Sequence, residues 1–208
     1  MMDVETCLKK LGYVGVLDFA TVDESGAPQI RNISAIHYEG TTLYFLTARG
    51  KPFARQLRRD GRVQILGYTR YKETIRLSGK AEEVPEAEQR RWRDVIYAEQ
   101  PYLENVYPGE TKNIDTIFRI QDYTVEYFCL STRPITREYF SVGATKAVKK
   151  GYYISENCIG CGTCQSVCPQ GCIEEGLPFV IQENHCLHCG NCYEHCPAEA
   201  IRRYGEEA

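Results

Sequence analysis

The chain has 208 residues, 43% of them hydrophobic and 25% charged, with 11 cysteines and a net charge of −3. That length carries one domain of ordinary size plus a small one, and no apolar run approaches the roughly 20 residues needed to cross a bilayer. Charge divides unevenly, with 23 basic against 20 acidic residues before position 151 and 2 against 8 from there on, so no basic stripe survives and neither nucleic acid nor a membrane is expected as a partner.

The segment around Cys7 reads as a helix. Val14 to Val22 is a β-rich run closed by the turn residues Asp23 to Pro28, and Gln29 to Tyr38 resumes the strand pattern, so the two form a hairpin. Glu39 and Gly40 turn the chain into a strand over Thr42 to Thr47. Pro52 to Arg59 reads as a short helix begun by proline and ended near Asp60 and Gly61. Val63 to Gly67 and Thr74 to Val84 give two more strands, and residues 117–130 return to strand around Cys129. Between them, Ala87 to Ala98 has helical spacing, with Trp92, Val95 and Ile96 on one face. A short helix, about six strands and two inserted helices make a small antiparallel barrel. Residues 131–150 lack strong periodicity and end in the basic stretch Thr145 to Lys150, directly before the acidic tail. Two readings of that stretch stand: a solvated tether, or a patch on which the acidic tail docks.

The order of these segments resembles the FMN-binding split barrel of the pyridoxamine 5′-phosphate oxidase-like family. The resemblance is carried by Gly26-Ala-Pro-Gln-Ile-Arg31, by Leu43-Tyr-Phe-Leu-Thr47 with Gly50-Lys51-Pro52 and a helix containing Gln56-Leu57, and by Ile75-Arg-Leu-Ser-Gly79-Lys-Ala-Glu-Glu-Val84. It covers residues 1–135. It implies that Arg31 and Lys51 meet the flavin phosphate, with the Thr47 hydroxyl completing the shell, and that Asn32, Ile33 and Ser34 run along the isoalloxazine edge. Each taken alone, Arg31 and Lys51 read as solvated surface charges at strand and loop ends; the order of the motifs favours the flavin role. The family's Arg-x-His substrate segment has no counterpart here, where the chain reads Arg133-Pro-Ile-Thr-Arg-Glu-Tyr-Phe140, so the resemblance does not extend to oxidation of the vitamin phosphate. A related branch of split barrels binds deazaflavin in place of FMN. The family's dimeric habit implies a homodimer.

Residues 151–208 hold nine of the cysteines and few large aliphatics. Eight of the nine fall in two copies of CxxCxxCxxxCP: Cys158, Cys161, Cys164 and Cys168, then Cys186, Cys189, Cys192 and Cys196. A zinc ribbon leaves the third cysteine of each triplet without a role, and a disulfide scaffold needs an oxidising compartment that a chain opening Met-Met-Asp-Val-Glu does not announce. The motif is similar to that of bacterial two-cluster ferredoxins. That likeness implies one [4Fe–4S] cluster on Cys158, Cys161, Cys164 and Cys196 and a second on Cys186, Cys189, Cys192 and Cys168. Shifting the first copy by 28 residues lays Cys172 on Ala200, which marks Cys172 as packing. Cys7 and Cys129 read as small buried hydrophobes, and His185, His188 and His195 as solvent-facing or sulfur-neighbouring side chains.

The expectation is therefore a mainly β chain with helices. An antiparallel FMN-binding split barrel spans 1–135, a linker 136–150, and a small α+β two-cluster ferredoxin domain 151–208. Its expected function is that of a cytoplasmic oxidoreductase passing electrons between two [4Fe–4S] clusters and FMN, with a redox protein as donor or acceptor and a small acceptor such as a flavin, quinone or nitro compound. The alternatives are an electron carrier without turnover of its own and a redox or oxygen sensor.

Overall fold

The computed structural model describes residues 2–205. Helix α1, Val4–Val14, is capped by Asp3, whose carboxylate accepts from the Thr6 N–H at 2.8 Å. It reaches Val14, where the sequence suggested strand, because Gly15 takes a φ of 76° and returns its N–H to Leu11. Strands β1 (Leu17–Val22), β2 (Pro28–Ile33), β3 (Ile36–Glu39) and β4 (Thr42–Ala48) follow. Helix α2 spans Pro52–Arg59, and β5 (Arg62–Tyr68), β6 (Glu73–Lys80) and β7 (Glu82–Glu83) lead to α3 (Glu86–Glu99). A short α4, Leu103–Val106, and a 3-10 turn at Gly109–Ile114 precede β8 (Asp115–Ile120), β9 (Tyr123–Cys129) and β10 (Thr136–Val142).

These strands form two antiparallel sheets, one of six strands in the order β10-β9-β6-β5-β1-β2 and one of four in the order β3-β4-β8-β7. Three stretches expected as single strands are each two. Gln29 to Tyr38 breaks at Ser34 and Ala35, Thr74 to Val84 breaks at Ala81, and 117–130 breaks at Gln121 and Asp122. At each break the chain leaves the six-stranded sheet and enters the four-stranded one, or the reverse. Backbone pairing continues through the change: the Ala81 N–H reaches the Gly61 carbonyl at 2.8 Å and the Val84 N–H reaches Ile117 at 3.0 Å.

The core lies between the sheets. Phe19 of β1 packs 5.0 Å from Phe45 of β4, which stacks 5.8 Å from both Phe118 of β8 and Phe53 of α2. Both faces of β4 are covered: Tyr44 stacks 3.9 Å from Trp92, on the apolar face of α3 that the sequence had marked.

The chain divides into two compact units. The larger takes the chain up to Thr69, Thr74–Glu126 and Tyr139–Lys146; the smaller takes Arg70–Glu73, Tyr127–Glu138 and Ala147 onward. The span expected as a linker thus contains strand β10, and only residues beyond Val142 run without regular structure. In the smaller unit β11 (Tyr152–Ile154) pairs with β14 (Ile201–Arg203), and β12 (Ile173–Glu174) with β13 (Val180–Ile181). Single-turn helices α5 (Thr163–Ser166) and α6 (Asn191–Glu194) start from Gly162 and Gly190, at φ of 74° and 82°. A Cβ on Gly190 would stand 2.8 Å from the Tyr152 hydroxyl, so glycine is required there on two counts.

Gly79 lies where the β8–β9 turn passes close to the chain. A Cβ there would meet Tyr123 Cβ at 2.8 Å, Ile120 Cγ2 at 2.9 Å and the Asp122 carbonyl at 3.0 Å. Gly79→Ala is expected to destabilise the barrel by about 1–3 kcal/mol, since Asp122 backbone cannot swing aside. Denaturant unfolding followed at the single tryptophan, Trp92, reads this directly, and an unchanged midpoint would show that the β8–β9 turn yields.

Candidate functional site

Arg31 stands on β2 opposite Phe19 of β1. It is half-buried, and its fork is already oriented. One terminal nitrogen donates to the Thr21 hydroxyl at 2.6 Å and to the Phe19 carbonyl at 3.3 Å, and the other donates to Gln56 Oε1 at 3.0 Å. The Thr21 hydroxyl donates to the same Gln56 oxygen at 2.6 Å, and the guanidinium lies 4.5 Å over the Phe53 ring. Burial lowers its pKa, but a guanidinium stays charged in proteins. Arg31 is therefore a fixed cation with Nε–H and one terminal N–H still to offer, not a freely solvated charge.

Thr47 lies on β4, buried and paired with Thr116 of β8. The chain then runs through Arg49 and Gly50 to Lys51, the residue that starts α2. No side chain caps that helix, so its first-turn N–H groups, next to the exposed Lys51 ammonium, have no side-chain acceptor. Lys51 Nζ lies 5.8 Å over the Tyr107 ring. Arg31 contacts helix α2 through Gln56 and Phe53, Lys51 stands at the start of that helix, and Thr47 is the penultimate residue of the strand before it. Asn32 and Ser34 have other partners. Asn32 donates to Asp18 at 2.6 Å, and the Ser34 hydroxyl meets the Tyr102 hydroxyl at 2.5 Å, while Ile33 is half-buried at the end of β2.

Several residues around α2 were not marked by the sequence. Asp115 opens β8 opposite Ala48, is buried, and accepts from the Tyr97 hydroxyl at 2.7 Å; its other oxygen has no partner among the described residues. Burial pushes its carboxyl up from the usual range, while the Tyr97 bond and the charges of Arg93, Lys51 and Arg49 pull it down. Arg93 donates to the Asn113 side chain at 2.9 Å and Arg49 to the Asn113 carbonyl at 2.6 Å. The available signal was polarity out of place: a glutamine among Phe53, Ala54 and Leu57, and an aspartate opening an apolar run.

In the smaller unit the cysteines gather around two cavities. One, with about 300 Å³ of unfilled space partly open to solvent, is lined by Cys158, Cys161, Cys164 and Cys196 together with Ile154, Phe179 and Ala200. The other, of about 340 Å³, is lined by Cys186, Cys189, Cys192 and Cys168, with Cys172, Tyr152 and Ile181. Each cavity holds three cysteines of one motif copy and the CP cysteine of the other. Among the described residues, no three His, Cys, Asp or Glu groups close on a single ion. Cys172 is the fifth cysteine at the second cavity, 3.6 Å from Cys168 sulfur to sulfur. Hydrogen bonding to Cys186 together with burial pushes the Cys172 thiol up, and the same bond pulls Cys186 down. Backbone N–H groups also point at sulfur, His188 to Cys186 at 3.4 Å and Ala200 to Cys196 at 3.3 Å. Of the histidines, His185 is tied to the Ile135 carbonyl at 2.8 Å and His195 to Asn191 at 2.9 Å. Cys7 and Cys129 are buried in α1 and β9.

A barrel split into two sheets, followed by a small unit folded around cysteine cavities, is the architecture of a split-barrel protein carrying an iron–sulfur domain. Comparison with known families agrees. The pyridoxamine 5′-phosphate oxidase family matches residues 11–120, more than half of the chain, and the 4Fe-4S dicluster domain matches residues 150–197. The chain belongs to the pyridoxamine 5′-phosphate oxidase family. It joins that family's flavin-binding domain to a 4Fe-4S domain, the pairing of an iron–sulfur flavin redox protein. No curated protein matches it. Among solved structures, a NimC/NimA family protein from Clostridium acetobutylicum is 20% identical, with a TM-score of 0.57 over 68% of this chain and 95% of that one. PhzG from Burkholderia lata, solved with tetrahydrophenazine-1-carboxylic acid, is 17% identical, with a TM-score of 0.53 over 68% and 88%. A pyridoxamine 5′-phosphate oxidase-related, FMN binding protein from Nostoc punctiforme is 17% identical, with a TM-score of 0.50 over 69% and 94%. These likenesses establish the fold.

The cavity geometry makes a direct prediction about iron. Cys164→Ala should lose about half of the iron and sulfide of the anaerobically purified protein, because it removes one of four thiolates from one cube, and Cys172→Ala should lose none. Equal losses from the two variants would overturn the ligand assignment.

Proposed function

We propose that the protein is an oxidoreductase that carries two [4Fe–4S] clusters and FMN and passes electrons between them, with reduction of a small acceptor at the flavin. The observation that carries this reading is the crossed composition of the two cysteine cavities, joined in one chain to a barrel with a fixed arginine beside an uncapped helix start. A flavin is the one cofactor of this set that exchanges electrons both singly, as a cluster does, and in pairs, as an organic acceptor needs.

The residues present suit a flavin phosphate. Arg31 supplies a planar fork held by Gln56 and Thr21, Lys51 a point charge, and the start of α2 its N–H groups and positive dipole end. Support for FMN over deazaflavin comes from the Nostoc neighbour of the same fold, described as FMN binding. The B. lata neighbour was solved with a tetrahydrophenazine carboxylic acid, in keeping with a small organic compound at the flavin. Residues 1–150 are net basic and the tail from 151 on is net acidic, which suits a redox partner protein that presents positive charge to the tail. A homodimer and a cytoplasmic setting complete the proposal; no helix among the described residues is long and apolar enough to cross a membrane.

Arg31→Ala and Lys51→Ala should each weaken FMN binding by roughly tenfold or more, as loss of one charged partner of a phosphate costs about 2 kcal/mol. Riboflavin, which lacks the phosphate, should bind the variants almost as well as it binds the parent protein. Titration calorimetry under anaerobic conditions separates the two, and equal losses for both ligands would mean that these residues support the barrel without touching phosphate. Acid extraction of the purified protein tests the wider reading: FMN together with about eight iron atoms per chain is expected, and iron without flavin would leave an electron carrier or sensor in its place.

A further inference from the structure

The cysteines of the two cavities correspond one for one under the 28-residue repeat, with a single exception. Cys172 and Ala200 are equivalent: both are buried, both lie immediately before a strand, and both carbonyls accept a backbone N–H at 2.8 Å, from Gln182 and Ser155 respectively. One lines the second cavity and the other lines the first. The second cavity therefore offers five thiols for four ligand places, and the first offers four.

The fifth thiol is close to the ligands. Its sulfur is 3.6 Å from that of Cys168, and Cys186 lines the same cavity. Cys168 and Cys172 flank the turn Pro169-Gln170-Gly171, in which the Gly171 N–H returns to the Cys168 carbonyl at 3.2 Å. The backbone on both sides is held, so a sulfur can move mainly by rotation about its Cα–Cβ bond. Passing to the next rotamer carries it about 3 Å, close to the separation of the two sulfurs. A buried cysteine that only filled space could be alanine, as its counterpart is.

We propose that Cys172 is a reserve ligand of the second cluster, able to take the iron of Cys168 when that thiolate is lost. This rests on the assignment of Cys168 and Cys196 as the crossed fourth ligands. The exchange is a substitution at iron: the bond from iron to the Cys168 sulfur is replaced by one to the Cys172 sulfur, and the Cys172 thiol gives its proton to solvent or to the departing thiolate. No electron moves. The first cluster has no such recourse.

The internal repeat supplies its own control. Iron and sulfide are measured on anaerobically purified full-length variants, with clusters counted by EPR after dithionite reduction. Cys196→Ala should fall to about four iron atoms per chain, whereas Cys168→Ala should stay near eight, and Cys168→Ala/Cys172→Ala should fall to about four. Moving the device should move the protection, so Cys196→Ala/Ala200→Cys should recover iron that Cys196→Ala loses. That pair keeps the test decisive even if Cys168→Ala does not accumulate. Equal loss from Cys168→Ala and Cys196→Ala would overturn the reserve role and leave the ligand assignment standing. Full iron in Cys196→Ala would overturn both.

Discussion

The larger unit depends on the chain's passage from one sheet to the other at three places, Ser34–Ala35, Ala81 and Gln121–Asp122. Each passage must hand backbone hydrogen bonds from one sheet to the next without leaving a buried N–H unpaired, since such a group costs about 1–3 kcal/mol. The passages also set the distance between sheets, which the Phe19, Phe45, Phe53 and Phe118 rings then fill. Gly79 follows from the same constraint, because any side chain there would meet the β8–β9 turn. So does the orientation of Arg31. The ring that its guanidinium covers, Phe53, is itself packed against Phe19 and Phe45, so the cation is referenced to the core and not to a loop.

The smaller unit solves a different problem. Its apolar interior consists of Tyr152, Ile173, Phe179, Ile181 and Ile201 with the sulfurs of Cys164, Cys172, Cys186 and Cys192. That is too little apolar surface to hold a fold of this length, so most of the ordering energy must come from iron–sulfur bonds. The unit also draws in Tyr127–Glu138, which the sequence had divided between barrel and linker. The Ile135 N–H donates to Gln170 at 3.0 Å, its carbonyl meets His185, and Arg137 Nε donates to the Cys186 carbonyl at 3.2 Å while covering Phe128 at 4.3 Å. A guanidinium beside the backbone of an expected ligand favours the anionic state of that site. Lys149 belongs to this unit too, paired with Glu183 at 3.0 Å, so one of the three lysines of the basic stretch before the tail serves the tail's own fold.

Much of this is legible in the amino-acid sequence. The repeated cysteine spacing marks the cavities, and the likeness to two-cluster ferredoxins implies the crossed composition that the cavities show. Strand and helix positions are legible where one run belongs to one element, as at Thr42 to Thr47 and Pro52 to Arg59. They are illegible where one apolar run serves two sheets, because Ala81 is buried within a run that reads as continuous strand. Strand β10 escapes notice because its residues are half-buried on both faces and show no alternation. The partners of Arg31 lie 10 and 25 residues away, and no local pattern announces that a threonine on β1 and a glutamine on α2 will share one guanidinium.

The central claim is that clusters and flavin work as one redox chain. Anaerobic rapid mixing of the full-length protein with a one-electron ferredoxin-type donor tests it most directly, with cluster and flavin absorbance followed separately. The same chain, loaded with flavin but not with iron, serves as the reference. Flavin reduction should be much faster when the clusters are present and should follow their bleaching in time. Equal flavin rates with and without iron would contradict the account.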